Sequence, residues 1–268
     1  MRTFTKEGLI QEIKSIAAQG WHRSVKETRD TRNDGAVGNT LETLLGIKEN
    51  NLPIPNAREW ELKGQRSHTS SLITLKHLEP SPTALGIVSN ILLPYYGWKH
   101  KEAGHKYPDT EMSFRSTTSA TGFTKRGFII ILDRNQARVR FVFDSSKVKT
   151  GEPEIKSWLN SVDQRIGLGP FNPEPYWGFE DLKYAVGEKI RNSFYVIADS
   201  KMVNRREHFC YKELYLLYGF SFDNFLKCIE DGLIFVDFDA RTGHNHGTKF
   251  RMKQGHWTNL YEKVEKVM

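Results

Sequence analysis

Cysteine is nearly absent. Cys210 and Cys228 are the only two in 268 residues, and no Cys-x-x-Cys occurs. That argues against a disulfide-stapled scaffold and a cysteine-rich zinc site, and it fits a reducing compartment. Long apolar runs are also missing. The longest, Phe128-Ile129-Ile130-Ile131-Leu132, falls far short of the roughly 20 residues that span a bilayer. The opening Met1-Arg2-Thr3-Phe4-Thr5-Lys6-Glu7 has no apolar signal core. The expectation is a soluble, cytoplasmic protein with no membrane partner. There is no Gly-rich phosphate loop of the Walker or dinucleotide type and no Gly-x-Ser-x-Gly elbow, which leaves little support for enzymes built on those motifs. No internal repeat or low-complexity tract is present.

What the chain does have is enough apolar content for a folded core, 38% hydrophobic and 12% aromatic residues. Its 39 basic residues outnumber 32 acidic ones, giving a net charge of +7. A positive excess of this size favours polyanionic partners such as nucleic acid, or an acidic membrane surface.

Apolar spacing predicts a helix through Leu9, Ile10, Ile13, Ile16 and Ala17, ended by Gly20. The charged stretch 23–34 and the segment 35–39 read as loops, with a short helix from Thr40 to Gly46. Pro53 and Pro55 make 50–56 extended. Strands are predicted over 60–63 and 72–75, and 128–132 with 139–143 form a hairpin. A helix over 176–191 precedes a strand over 194–198. Ser221 caps a helix through Phe222, Phe225, Leu226 and Ile229, with Gly232 as its stop. Strands over 233–238 and 248–251 follow. Asn172-Pro173-Glu174-Pro175 is the best internal break. Strands and helices without strict alternation indicate a mixed α/β, or α+β, fold.

The segment richest in chemistry is Pro55-Asn56-Ala57-Arg58-Glu59-Trp60-Glu61-Leu62-Lys63. Glu61 and Lys63 are two apart on a strand and therefore share a face. A carboxylate beside an ammonium could hold a hard cation and a neighbouring phosphate or water. Glu-x-Lys also arises by chance as a solvated strand face, so the spacing alone leaves both readings open. Glu42, acidic within an apolar helix start, is a second candidate of the same kind.

Gly38-Asn39-Thr40-Leu41-Glu42-Thr43-Leu44-Leu45-Gly46-Ile47, followed by Pro55-Asn56 and Glu61-Leu62-Lys63, resembles the active-site region of the MvaI/BcnI restriction endonucleases. Those enzymes are similar in turn to the mismatch-repair nickase MutH. The family pattern is Pro-Asp, a short spacer, then Glu-x-Lys. His244-Asn245-His246-Gly247-Thr248-Lys249-Phe250-Arg251 resembles the family's C-terminal His-x-His-Gly-Thr-x-Phe-Arg segment, and Ser71-Leu72-Ile73-Thr74-Leu75 resembles the strand after the catalytic one. The resemblance implies a PD-(D/E)xK nuclease fold with a MutH-like two-lobed architecture that grips duplex DNA in a cleft. The catalytic lobe would lie over 1–170 and the DNA-recognition lobe over 171–268.

By position, Asn56 and Glu61 would be metal ligands for Mg2+, Lys63 would orient or help activate the attacking water, and Glu42 would be the accessory acid. The resemblance further implies cleavage to 5′-phosphate and 3′-hydroxyl ends, a monomer, and a cognate DNA methyltransferase in the cell. Asn56 departs from the pattern, because the family has aspartate there. Asparagine keeps one oxygen acceptor and loses the charge. Either the chain is a variant inactivated so that DNA is bound without being cut, which is the preferred reading, or the residue is natural. A natural asparagine would make the enzyme slow, dependent on another acid such as Glu59, or a binder only.

Arg251, His244 and His246 are the base readers by resemblance, with Arg241 a further candidate. Arginine can bond guanine O6 and N7 bidentately. The alternatives are a surface strand residue for Arg251 and a metal pair for the two histidines. Tyr95, Tyr96 and Trp98 could stack or wedge at DNA, but packing in the core or at the lobe junction is the preferred expectation. Lys99, Lys101, Arg23, Lys26, Arg29 and Arg32 are phosphate contacts or solvated charge. A MutH-like nicking repair enzyme and a DNA-binding relative without catalysis are the competing functions.

Overall fold

A computed structural model describes residues 5–26, 35–47, 60–67 and 71–268. Asn56, Glu59, Arg29 and Arg32 lie outside them. The described chain forms two compact units, each assembled from separate stretches. The first comprises 1–73, 186–224 and 253–268; the second comprises 74–185 and 225–252.

In the first unit, helix α1 (Lys6–Ala18) starts where the Thr5 hydroxyl accepts the Gly8 amide. It buries Leu9, Ile13 and Ile16 at helical spacing. Helix α2 (Ala36–Leu44) begins earlier than expected. Residues 36–39, predicted as a loop, are helical because Ala36 and Val37 are fully buried in the same core as Leu41. Gly38 interrupts that apolar face where the helix backbone lies on Gly64.

Five strands make the sheet of this unit: β1 (His22–Arg23), β2 (Trp60–Arg66), β9 (Asn192–Val203), β10 (Arg206–Phe220) and β14 (Tyr261–Lys266). The order is β1-β10-β9-β2, with β14 also on β10. β2 runs parallel to β9, and the other pairings are antiparallel. Leu62, Phe194, Val196, Phe209, Leu214 and Leu216 close the core against α1 and α2.

The second unit has a sheet in the order β3-β13-β11-β5-β4, with β12 paired to β11. The strands are β3 (Leu72–His77), β4 (Trp98–Lys99), β5 (Met112–Thr118), β11 (Ile234–Arg241), β12 (His244–Asn245) and β13 (Lys249–Lys253). A smaller sheet holds the predicted hairpin, β6 (Phe128–Asp133) and β7 (Arg138–Phe143), and β8 (Tyr176–Gly178). β8 corrects the helix expected over 176–191. Residues 176–178 pair with β7 and bury Trp177, and only then does helix α5 (Phe179–Ile190) begin.

Two helices that flank this unit's strands are α3 (Leu93–Tyr96) and α4 (Pro153–Ile166), and α6 (Phe222–Glu230) matches its predicted span. The core is aromatic: Tyr96, Phe114, Phe128, Phe141, Phe143, Trp158, Phe171 and Phe238 meet with ring centroids about 4.5–6.3 Å apart. Tyr96 is thus core, as expected. Tyr95 departs from that expectation and is exposed, and Trp98 is half-buried under the Arg126 guanidinium at 4.0 Å. The Asn172–Pro175 break lies inside this unit, where Glu174 takes both guanidinium nitrogens Nε and Nη2 of Arg140.

Candidate active site and base-reading face

Strand β2 holds the first cluster. Its parallel register sets Glu61 beside Ser193 and Lys63 beside Tyr195. The shared face expected from the two-residue spacing is realised, with Lys63 Nζ 2.7 Å from Glu61 Oε1. Only 3% of the Glu61 side chain is exposed, against 19% for Lys63. A carboxylate buried this far is costly unless its oxygens are paired. Oε1 is paired. Oε2 is buried with no hydrogen-bond partner among the described residues.

A second ammonium, that of Lys189 in the last turn of α5, stands 3.9 Å from Oε1. Beside this cluster, the Lys63 ammonium lies 5.9 Å from the centre of the Trp257 ring. Tyr261 shares a buried hydrogen bond of 2.6 Å with Ser193. Burial raises the pKa of the Tyr261 hydroxyl; the Ser193 bond lowers it in part, and the Glu61 charge raises it again. The phenol is therefore neutral at any physiological pH.

Helix α2 braces the strand. A methyl group at Gly64, the residue after Lys63, would sit 2.9 Å from the Gly38 nitrogen and 3.0 Å from its Cα. Two glycines thus let the helix backbone lie directly on β2. Glu42, one turn beyond Gly38, lines a small cavity of about 100 Å3 with Val25, Lys26, Asn39, Thr43 and Ile47. Among the described residues, no three His, Cys, Asp or Glu side chains cluster tightly enough to hold a metal by themselves. The structure brings Glu61 and Lys63 together on β2, and places Glu42 on α2, the helix that braces that strand.

The second cluster lies on the outward face of β11. This strand alternates strictly, with Ile234, Val236, Phe238 and Ala240 buried and Phe235, Asp237, Asp239 and Arg241 half-exposed. The two aspartates are anchors. Asp237 takes Arg251 Nη1 at 3.1 Å and the Thr117 hydroxyl at 2.7 Å. Asp239 takes Arg115 Nε at 2.9 Å and Lys249 Nζ at 3.5 Å. Arg241 reaches the buried Glu111 at 3.0 Å and lies 4.7 Å from the centre of the Tyr107 ring.

Next in the chain, Thr242-Gly243 turns the strand into β12, with Arg241 opposite His244 and Gly243 at a φ of +69°. His244 and His246 are both exposed, with Nε2 of the first 3.3 Å from Nδ1 of the second. The carboxylate of Glu79 fastens the end of this loop. It accepts the Thr248 amide at 2.8 Å and the Asn245 amide group at 3.3 Å. Arg251, Arg241 and His244 therefore belong to one sheet, and His246 lies in the loop between its strands β12 and β13. Of the other cations, Lys99 pairs with Asp109 at 2.6 Å, and Arg23 is exposed.

Lys189, Asp237, Asp239 and Glu111 escaped the sequence reading. The aspartates had a legible signal, since period-two alternation over 234–241 puts both on the face of Arg241. Lys189 had none, because nothing near it in sequence reports its approach to Glu61.

A sequence model of the MvaI/BcnI restriction endonuclease family matches residues 10–261. The solved complex of restriction endonuclease MvaI with its cognate DNA substrate is 22% identical, covers 99% of this chain and 100% of that one, and superposes with a TM-score of 0.73. The structure of MvaI in the absence of DNA is 21% identical over the whole of both chains, with a TM-score of 0.53. No curated protein matches. These likenesses establish the PD-(D/E)xK-type, mixed α/β fold that the sequence suggested. The match across 10–261 makes this chain a member of the MvaI/BcnI restriction endonuclease family, and so a site-specific deoxyribonuclease by class.

Proposed function

We propose that this chain is a type II, Mg2+-dependent endonuclease that hydrolyses duplex DNA at a short specific sequence to 5′-phosphate and 3′-hydroxyl ends. We propose further that Asn56 holds its activity far below that of the aspartate form. The observation that carries the reading is the buried Glu61, with Lys63 Nζ 2.7 Å from Oε1 and Oε2 left without a described partner.

Mg2+ keeps several waters and needs only one or two protein carboxylates. A buried oxygen with no partner is a donor of that kind, so the residues present fit the ion. Glu61 and Asn56 would hold it, with Glu42 as accessory acid. When bound, the ion supplies charge against the anionic transition state and favours ionisation of the attacking water. Lys63, on the same strand face, orients that water. Asn56 offers an oxygen without a negative charge, which weakens the hold on the ion.

Arg251, Arg241, His244 and His246 read base edges, and the MvaI complex with cognate DNA supports a duplex as the substrate. The recognition lobe is assigned to the sheet of the second unit and the catalytic lobe to β2 and its neighbours. The enzyme acts as a monomer on one strand at a time, in the cytoplasm. A cell that carries it needs a methyltransferase to protect the same sites. No described helix is long and apolar enough to cross a membrane.

Asn56 favours a second reading, a relative that binds without cutting. One experiment separates the possibilities. A sequenced plasmid is incubated with Mg2+ and either this chain or its Asn56→Asp variant, and the ends are mapped. The aspartate form is expected to cut by orders of magnitude faster. Equal cleavage by both would reject the role given to Asn56, and no cleavage by either would favour the binding protein. Nicks without double-strand breaks would favour a MutH-like repair enzyme.

A further inference from the structure

We infer that Arg115, on β5, is a further base-reading residue, and that it contacts a guanine in a different base pair from the one met by Arg251. The inference rests on the base-reading face proposed above and adds a residue to it.

Strand register places Arg115. It stands directly opposite Asp239 of β11, as Thr117 stands opposite Asp237. Residues opposite one another in an antiparallel pair point to the same side of the sheet. Along β5, Phe114, Ser116 and Thr118 are buried while Arg115 and Thr117 are exposed, an alternation that matches that of β11. Arg115 therefore shares the face that carries Asp237, Asp239 and Arg241. Arg251 belongs to the same face, because it lies opposite Phe235.

One device is repeated on the two sides of β11. Asp237 holds Arg251 of β13 at 3.1 Å, and two residues on, Asp239 holds Arg115 of β5 at 2.9 Å. The atom of Arg115 at the carboxylate is Nε. Among the described residues, Asp239 is its one ionic partner, and the Asp239 oxygen concerned accepts no hydrogen bond. Charge attraction thus holds the side chain, and the planar tip of the guanidinium keeps its donors. That tip, Nη1 with Nη2, is the fork that fits guanine O6 and N7.

Spacing and charge sharpen the assignment. The two aspartates are two residues apart on one strand, about 7 Å. A G·C pair contains one guanine, with one O6/N7 edge for one fork. Two forks that far apart therefore meet guanines of different base pairs. A phosphate is the poorer partner here. Asp239 already offsets the Arg115 charge and Asp237 adds a second anion to the face, so an arriving phosphate meets repulsion as well as attraction. A base edge carries no net charge and takes only the hydrogen bonds.

The test reads discrimination and does not depend on turnover. The full chain, with Asn56 in place, is titrated in EDTA against a duplex carrying the site mapped with the Asn56→Asp enzyme. A panel of duplexes, each with one base pair of that site changed, is titrated beside it. Arg115→Ala is expected to weaken binding to the unchanged site about tenfold and to lose the preference at one base pair, other than the pair relaxed by Arg251→Ala. Arg115→Lys keeps the charge without the fork. It should lose the same preference while the slope of log affinity against log salt stays at the parent value. Weakening by the same factor over the whole panel, with a slope lowered by about one, would make Arg115 a phosphate contact and overturn the inference. So would an unchanged panel, or a preference lost at the pair that Arg251→Ala relaxes. Should Arg115→Ala lose the parent's circular dichroism spectrum, Arg115→Lys is read by the same criteria. Preference lost in Arg251→Ala but not in Arg115→Ala overturns this inference alone. Preference lost in neither, or no mapped site at all, removes the reading beneath it as well.

Discussion

The two polar clusters of this molecule are built alike but differ in burial. On β2, one buried carboxylate attracts two ammonium groups, and one of its oxygens has no described partner. On β11, Asp237 pairs with Arg251, and Asp239 with Arg115 and Lys249, although Asp239 Oδ1 is also buried with no hydrogen-bond partner among the described residues. The first arrangement is poised to accept something. The second holds long side chains in fixed positions until a stronger partner arrives. Arg115 and Asp239 are 43% and 28% exposed, so their pairing contributes little stability in water. On the proposed reading, an arginine held in place in this way loses less freedom on binding DNA. What separates the two clusters is burial: the Glu61 side chain is 3% exposed, whereas that of Asp239 is 28% exposed.

The largest effect that breaks this comparison is at the reactive cluster. In the Asn56→Asp background, Lys63→Met should cut plasmid cleavage by at least about 100-fold, since it removes a group that acts on the water. Affinity for specific DNA in EDTA should fall far less. A variant that loses binding and cleavage in equal measure would mean that Lys63 grips substrate rather than serving the chemical step.

The next effect concerns the support. Gly64→Ala drives a methyl to within 2.9 Å of backbone on α2, whereas a methyl at Gly38 would come no closer than 3.8 Å to the Gly64 nitrogen. Overpacking of this kind costs about 1–3 kcal/mol. Gly38→Ala should be neutral or gain up to about 1 kcal/mol of helix propensity. Thermal unfolding of the two variants checks the asymmetry, and equal melting temperatures would contradict the close approach of helix and strand.

Much of this fold was legible because local signals agreed. Period-3.6 spacing gave α1 and α6, and two apolar stretches around the polar turn Asp133–Gln136 gave the β6–β7 hairpin. β10 escaped because a register shift between Tyr211 and Glu213 breaks its alternation across fifteen residues. α4 escaped because it buries only Ile155, Trp158 and Val162 in a charged segment. The lobes expected over 1–170 and 171–268 follow chain order, whereas the compact units gather 186–224 and 253–268 with the N-terminal stretch. No local pattern reports which distant segments pack together. In the same way, Glu61 and Lys63 were visible as a pair two residues apart, and Lys189, which joins them through the fold, was not.

At the recognition cluster the effects are smaller and selective. Arg251→Ala should cost about 1–3 kcal/mol of binding to the specific duplex and relax discrimination at one base pair. Non-specific binding should change much less, which competition against mixed-sequence DNA would show. A uniform loss across all sequences would reassign Arg251 from a base to a phosphate.

Asp237→Asn is the smallest change and tells most about the matched charges. The substitution keeps an oxygen that can accept the Thr117 hydroxyl, now 2.7 Å away, but removes the charge that holds Arg251 at 3.1 Å. Two consequences compete. The protein gains one positive charge near DNA, which raises affinity for every sequence. Arg251 loses its anchor, which makes its bond to a particular base less favourable by a few tenths to about 1 kcal/mol. If anchoring is what Asp237 does, the ratio of specific to non-specific affinity falls by up to about fivefold even as non-specific binding tightens. If Asp237 serves only to neutralise charge, both affinities rise together and the ratio holds. The specificity ratio at one fixed salt concentration therefore separates orientation from simple charge balance.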